Sequence, residues 1–381
     1  MFGSWISQTK WANLRIDRRS MLLSAAGSAL AAMAPSRAFG QTAQPTKRAL
    51  VLGGGSILGA YQAGAIKVLL DNGFAPDYLY GISVGSLNAA FLCDRAYFLG
   101  KTKSAYYSAL NETPPANSGD LNAPVNWPFI GDELVAFWQQ KVTGPSSLVE
   151  QWNDTAIAIH AFMDDFSGFL SVHPLRRLIE ATLSSQRLAA STVPTAIGTV
   201  NIDTAKIKYV PNTDPDFITF VRASAAVPLV MPLVEIKSGA NAGKYVDGGV
   251  KHIVPIKDAA AGPATHIVCI VCQAPIGQEN YEPVVNPKNV VQLITRLTDI
   301  ASDNVIANDM KDLKVRKVAT IRPDKPIEAI IGNKEAEINN FQNKDITNMI
   351  AYGESLAGQK IKEGADPSNT DSAKLSPEYF S

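Results

Sequence analysis

The sequence predicts an α/β fold, with three layers, a mostly parallel central sheet between helices and an inserted helical cap. Three observations predict it. Ala49–Leu52 and Tyr78–Ile82 are short apolar runs of strand length, and each stops at a glycine-containing turn. Each turn is followed by a stretch with helical periodicity, so strand, turn and helix occur twice in succession and the two strands run parallel. The chain has 381 residues and 46% hydrophobic content, enough to bury one large core or two modest ones.

The first turn reads Gly53-Gly54-Gly55-Ser56-Ile57-Leu58-Gly59. Consecutive glycines let the backbone bend sharply and bring several N–H groups toward one point. In the helix that follows, Ala65, Ile66, Val68, Leu69 and Leu70 form a broad apolar face that ends near Asn72-Gly73. The second turn, Gly81-Ile82-Ser83-Val84-Gly85, is a G-x-S-x-G between a strand and a helix at Ser86–Leu92. Such a turn lifts a serine to the carboxyl edge of the sheet on a strained bend, with the flanking glycines relieving crowding. The Val84 N–H lies in the first helical turn, where backbone donors are unpaired and the helix dipole favours negative charge. Ser83 is therefore the candidate nucleophile for an ester carbonyl. The amides of Gly54, Gly55, Ser56 and Val84 are the candidate oxyanion donors.

Farther along, Asn111–Asp132 is rich in proline, asparagine and glycine and reads as loop. Glu133–Val142 and Ser147–Phe169 read as amphipathic helices carrying Phe137, Trp138, Trp152, Phe162, Phe166 and Phe169. Residues 101–170 are expected to form the cap. Its aromatics suit core packing or, alternatively, an acyl-chain wall over Ser83. A helix is expected at Leu175–Ser185, and strands at Thr195–Asn201 and Lys206–Val210 joined by Asp203-Thr204. Ser224-Ala225-Ala226-Val227-Pro228 is a small-residue segment suited to packing under an active-site loop. Lys244–Val246 reads as a strand ending on Asp247-Gly248-Gly249. Asp-Gly is a common turn pair, and at the end of this strand it also makes Asp247 the candidate base. His266–Val271 and Val318–Ile321 read as strands, Val290–Lys317 as mostly helix, Asn339–Ala357 as a closing helix, and residues 356–381 as a polar tail that is loose from Gly364.

Four blocks stand in a telling order: Gly53-Gly54-Gly55…Gly59-Ala60-Tyr61-Gln62-Ala63-Gly64, Gly81-Ile82-Ser83-Val84-Gly85, Arg222-Ala223-Ser224-Ala225-Ala226-Val227-Pro228…Pro232, and Tyr245-Val246-Asp247-Gly248-Gly249-Val250. Through them the chain resembles the patatin-like phospholipase family over residues 47–355. The resemblance implies a Ser–Asp dyad, with Ser83 as nucleophile and Asp247 as its partner, and no metal or organic cofactor. It also implies a lipid substrate, a phospholipid or lysophospholipid, met at a membrane surface. The motif glycines are then Gly53, Gly59, Gly81, Gly85, Gly248 and Gly249. One stretch departs from the family's pattern. Ser56-Ile57-Leu58 stands between Gly55 and Gly59, so the turn is either one residue longer or carries serine at the third glycine position.

The formal net charge is zero, which suggests neither nucleic acid nor a polyanionic surface as partner. Cys93, Cys269 and Cys272 are an odd number; Cys269 and Cys272 lie three apart in an expected strand and so point to opposite faces, and no second Cys or His pair stands at zinc spacing, so small buried hydrophobes are expected and a metal site is not. Lys10, Arg15, Arg18 and Arg19 precede Met21–Ala34, a charge-free run of fourteen weakly apolar residues, and Ala38-Phe39-Gly40 suits a signal peptidase. Arg18-Arg19-Ser20-Met21-Leu22 resembles a twin-arginine export signal, with Asp17 at a position usually held by Ser or Thr. As a helix that run would reach about 21 Å, short of the roughly 30 Å of a bilayer core. Residues 1–40 are therefore expected to be a cleaved export signal, and the protein to be periplasmic or envelope-associated. Without them the chain holds 30 basic and 34 acidic residues.

Other readings are weaker. A Ser-His-Asp triad in α/β-hydrolase order needs a histidine after the acid, and His252, five residues beyond Asp247, is the rival base. His160, His173 and His266 fall in the cap, before a proline and at the start of a buried strand. A dinucleotide site is disfavoured because Leu58 breaks G-x-G-x-x-G and the second strand ends without an acidic residue. A catalytically silent lipid-binding envelope protein of the same fold is favoured only by the altered glycine turn.

Overall fold

The computed structural model describes residues 46–151, 170–228, 230–275, 300, 303, 317–334, 336, 338–371 and 374–381. Its strands are β1 (Arg48–Leu52), β2 (Tyr78–Ile82), β3 (Glu150–Gln151), β4 (Leu170–Ser171), β5 (Thr195–Asn201), β6 (Lys206–Pro211), β7 (Val234–Ile236), β8 (Gly243–Asp247), β9 (His266–Ile270) and β10 (Lys317–Ile321). The central sheet runs β10-β9-β1-β2-β5-β8-β7, with β6 also paired to β5. From β10 to β5 every pairing is parallel, and β6, β7 and β8 join antiparallel. The fold is the mostly parallel α/β sheet that the sequence predicts.

Alternation along the inner strands sorts the core into two faces. Leu50, Leu52, Val268 and Ile270 point into the larger cluster, and Ala49, Val51, Ile267 and Cys269 into the smaller one. Both faces are buried, which is why these strands read as unbroken apolar runs. Helices α1 (Gly59–Asp71), α2 (Val84–Ala96), α3 (Lys103–Leu110), α4 (Trp127–Lys141), α5 (His173–Thr182), α6 (Ser185–Ala189), α7 (Phe217–Ser224), α8 (Ile256–Ala261), α9 (Ile327–Ile330) and α10 (Asn343–Ala365) surround the sheet. Residues of α1, α2, α4 and α10 build the larger cluster, and Ile256 and Ala259 of α8 cover the other face. Helices α1 and α10 touch backbone to backbone at Gly353, where a β-carbon would lie 2.0 Å from the Tyr61 carbonyl oxygen.

Two segments pack more closely than their sequence suggests. Residues 127–141, within the expected cap, are part of the helical layer of the domain. Phe129, Ile130, Leu134, Phe137 and Trp138 are all buried, and Phe137 meets Phe91 of α2 with ring centroids 5.3 Å apart. This helix starts before Glu133 because Asn126 accepts the Phe129 N–H at 3.0 Å and Pro128 fits its first turn. Glu150–Gln151 pairs with Leu170–Ser171 as antiparallel strands, while Trp152, His160, Phe162, Phe166 and Phe169 lie outside the described residues. Residues 1–40 and most of 290–317 lie outside them too. The tail is the second such segment. The closing helix continues to Ala365, and beyond it Leu375 and Tyr379 are buried while Phe380 sits edge-on to Phe74. A few spaced apolar side chains tie down a segment whose average composition is polar.

Candidate active site

Strand β5 assembles the site. Along one edge it pairs with β6 over Ala196–Asn201. The opposite edge is shared: β2 runs parallel to its first half and ends with Ile82 opposite Gly198, and β8 runs antiparallel to its second half and ends with Asp247 opposite Thr199. Two strands thus arrive from opposite directions and stop at consecutive residues of the same neighbour. The residue after Ile82 is Ser83, so the candidate nucleophile and the candidate base are brought together by register. The Thr199 hydroxyl fastens this junction by donating to the Val246 carbonyl at 2.7 Å, and the Asp247 N–H donates to the Ala226 carbonyl at 2.9 Å. A β-carbon at Gly248 would stand 2.5 Å from the Gly198 carbonyl oxygen, so only glycine fits there. Gly85 is held to the same limit, 2.2 Å from the Leu52 carbonyl oxygen, where α2 starts against the end of β1.

Ser83 is 7% exposed and takes φ 55, ψ −129, in the left-handed half of the map that side chains rarely enter. Two other serines hold that bend. The Ser83 N–H donates to Ser224 Oγ at 3.0 Å, Ser224 Oγ donates to the Gly198 carbonyl at 2.6 Å, and Ser86 Oγ donates to the Ser83 carbonyl at 2.6 Å. Ser224 lies in the small-residue segment noted in the sequence, but nothing local announces its role. Its partners come from β5 and from the turn after β2.

Asp247 is 4% exposed, and its carboxyl is raised to about 7. Burial does the raising; the Ser83 hydroxyl and the Gly249 N–H, which reaches Asp247 Oδ1 at 2.7 Å, pull the other way. A desolvated carboxylate beside a serine hydroxyl can accept its proton near neutral pH. His252 is not among the groups that act on Asp247: its backbone N–H donates to the Gly248 carbonyl at 3.0 Å, and its side chain acts electrostatically on Asp258.

The expected oxyanion set loses one member. The Gly54 N–H donates to the Ile253 carbonyl at 2.9 Å and is spent, just as the Gly53 N–H is spent on the Ile270 carbonyl at 3.0 Å. Gly54 contributes smallness, since a β-carbon there would come 3.1 Å from Ser83 Cβ. The N–H groups of Gly55, Ser56 and Val84 find no acceptor among the described residues. Ser56 has φ 52, so serine occupies a glycine-type backbone position before the short turn Ser56–Leu58 leads into α1. Among the described residues no cluster of three His, Cys, Asp or Glu can hold a metal ion, and Cys93, Cys269 and Cys272 are free and buried.

The family model for patatin-like phospholipases matches residues 50–260. The chain belongs to the patatin-like phospholipase family. That span contains Ser83, Asp247, Ser224 and both glycine turns. Among solved structures, VipD from Legionella pneumophila is similar at 13% identity and a TM-score of 0.37, covering 83% of this chain and 67% of VipD. No curated protein matches the chain. As a patatin-like phospholipase the protein is a lipid acyl hydrolase.

Proposed function

We propose that this protein hydrolyses a carboxylic ester bond of a phospholipid or lysophospholipid through a Ser83 acyl-enzyme, with Asp247 as the base. One observation carries the reading: a buried carboxyl raised to about 7 faces a serine held on a strained strand-to-helix turn. Asp247 takes the Ser83 proton as Oγ attacks the ester carbonyl. The N–H groups of Gly55, Ser56 and Val84 receive the charge that develops on the carbonyl oxygen. Collapse expels the alcohol, which leaves with the proton from Asp247. Water then attacks the acyl-serine, giving its proton to Asp247, and Ser83 recovers that proton as the fatty acid departs. The cycle needs no metal and no organic cofactor.

The test is product analysis by mass spectrometry of phosphatidylcholine and lysophosphatidylcholine incubated with the purified protein lacking residues 1–40. Free fatty acid is expected from the wild type and none from Ser83→Ala; fatty acid release by a folded Ser83→Ala protein would refute the mechanism. The Arg18-Arg19 pair supports export in the same reading. Replacing both by lysine should leave the uncleaved precursor in the cytoplasm, and full processing of that variant would refute the twin-arginine route.

A further inference from the structure

A chain of buried polar side chains runs behind the glycine turn, and the steps above make no use of it. Gln62 on α1 and Asn88 on α2 are fully buried, and Trp138 on α4 is 1% exposed. Gln62 Nε2 donates to the Gly53 carbonyl at 2.7 Å. Asn88 Nδ2 donates to Gln62 Oε1 and to the Gly59 carbonyl, each at 3.0 Å, and Trp138 Nε1 donates to Asn88 Oδ1 at 2.9 Å. Both acceptor oxygens and every donor group are used, so the chain has one arrangement rather than several.

Its position gives it a consequence for catalysis. The Gly53–Gly54 peptide is clamped at both ends, its carbonyl by Gln62 and its N–H by the Ile253 carbonyl at 2.9 Å. The next two amides are those of Gly55 and Ser56. At the other end, Asn88 lies one helical turn beyond Val84, whose N–H is the third free donor. The Gln62–Asn88 bond therefore ties the turn after β1 to the helix after β2. The three donors come from these two separate units. An oxyanion is stabilised only when its donors stand about 2.7–3.1 Å from it, and a displacement of about 1 Å can cost about 100-fold in rate.

We propose that Gln62 and Asn88 are positioning residues for the oxyanion hole. They hold the glycine turn in register with the first turn of α2, and Trp138 fixes the Asn88 amide in the orientation that allows it. The proposal rests on the reading of Ser83 as nucleophile. Neither residue touches the substrate, so their loss weakens transition-state binding and leaves ground-state binding alone.

Gln62→Met keeps the length of the side chain and removes its hydrogen bonds. It is expected to lower kcat by about 10–100-fold with KM unchanged. Inhibition by a long-chain trifluoromethyl ketone, whose adduct with serine carries an oxyanion, should weaken by the same factor, while binding of the product fatty acid should not change. Trp138→Phe, which keeps an aromatic ring and removes the indole N–H that holds the Asn88 amide, serves if the first variant does not fold, and the same signature is expected. Folded variants with wild-type kcat, or ketone and fatty acid affinities falling together, would overturn the proposal. Ser83→Ala measured in parallel separates the two ideas. Activity remaining in it refutes the nucleophile, whereas an inactive Ser83→Ala beside a fully active Gln62→Met refutes the positioning role alone.

Discussion

Ser83 and Asp247 meet because β2 and β8 end on consecutive residues of one edge of β5, Ile82 against Gly198 and Asp247 against Thr199. The carboxyl is influenced by burial, by Ser83 and by the Gly249 N–H, whereas the charge of His252 acts on Asp258. Asp247→Asn should therefore lose about 10²–10⁴-fold in kcat/KM on a p-nitrophenyl ester, approaching Ser83→Ala. His252→Ala should stay near wild type. An inactive His252→Ala protein with an unchanged thermal midpoint would replace the dyad with a triad.

A carboxyl raised to about 7 sets two pH dependences of definite sign. In the proposed mechanism Asp247 acts as a base only when ionised, so kcat/KM should climb about tenfold per pH unit below 7 and level off above it. Stability runs the other way. The unfolded carboxyl gives up its proton near pH 4, the folded one near 7, so the advantage of the neutral folded form is complete below about pH 4 and lost as pH rises to 7. The loss is roughly 4 kcal/mol. Asp247→Asn has no such charge to bury, and it should melt above wild type at pH 8 and close to it at pH 4. Coincident melting curves at pH 8 would show that burial of this carboxylate has no cost.

The parallel half of the fold was legible because strands buried on both faces leave unbroken apolar runs, as in Leu50–Leu52 and His266–Ile270. Ser83 and Asp247 were legible because each ends a strand at a glycine turn. The rest depended on partners far along the chain. Gly54 sits in a turn full of apparently free amides, and only the carbonyl of Ile253, brought in by the loop after Asp247, shows that its N–H is taken. The aromatics of α4 announced an apolar face without saying that α1 and α2 would cover it. Strand β7 has three residues, none fully buried, and gave no pattern at all.

The altered glycine turn yields a third prediction. Ser56 is exposed and held at φ 52, a conformation that costs an L-residue about 1–2 kcal/mol and glycine almost nothing. Ser56→Gly removes that cost but frees the unfolded chain, so its thermal midpoint should equal or slightly exceed that of wild type, with kcat retained. Ser56→Val, whose branched side chain resists positive φ, should lose stability and kcat together because the N–H at position 56 is displaced. Equal behaviour of the glycine and valine variants would mean that this backbone position does not constrain the oxyanion turn.

The fourth prediction concerns the bend at Ser83, the candidate nucleophile. Ser224 Oγ stands between the Ser83 N–H and the Gly198 carbonyl, with contacts of 3.0 and 2.6 Å, and its residue is wholly buried. Removing the hydroxyl leaves a donor and an acceptor unpaired away from water, at a cost of about 1–3 kcal/mol in stability. It also releases the Ser83 N–H, whose bond to Ser224 Oγ opposes relaxation from φ 55. Ser224→Ala should therefore fold with a lower midpoint, label more slowly at Ser83 with a fluorophosphonate, and lose kcat with little change in KM. Ser224→Thr keeps the hydroxyl and should recover most of the labelling rate even where its extra methyl lowers the midpoint. That split matters, because a purely structural role predicts labelling rates that follow stability. If Ser224→Ala and Ser224→Thr label in the order of their midpoints, Ser224 only fills the core, and the strained serine is held by the glycines and Ser86 alone.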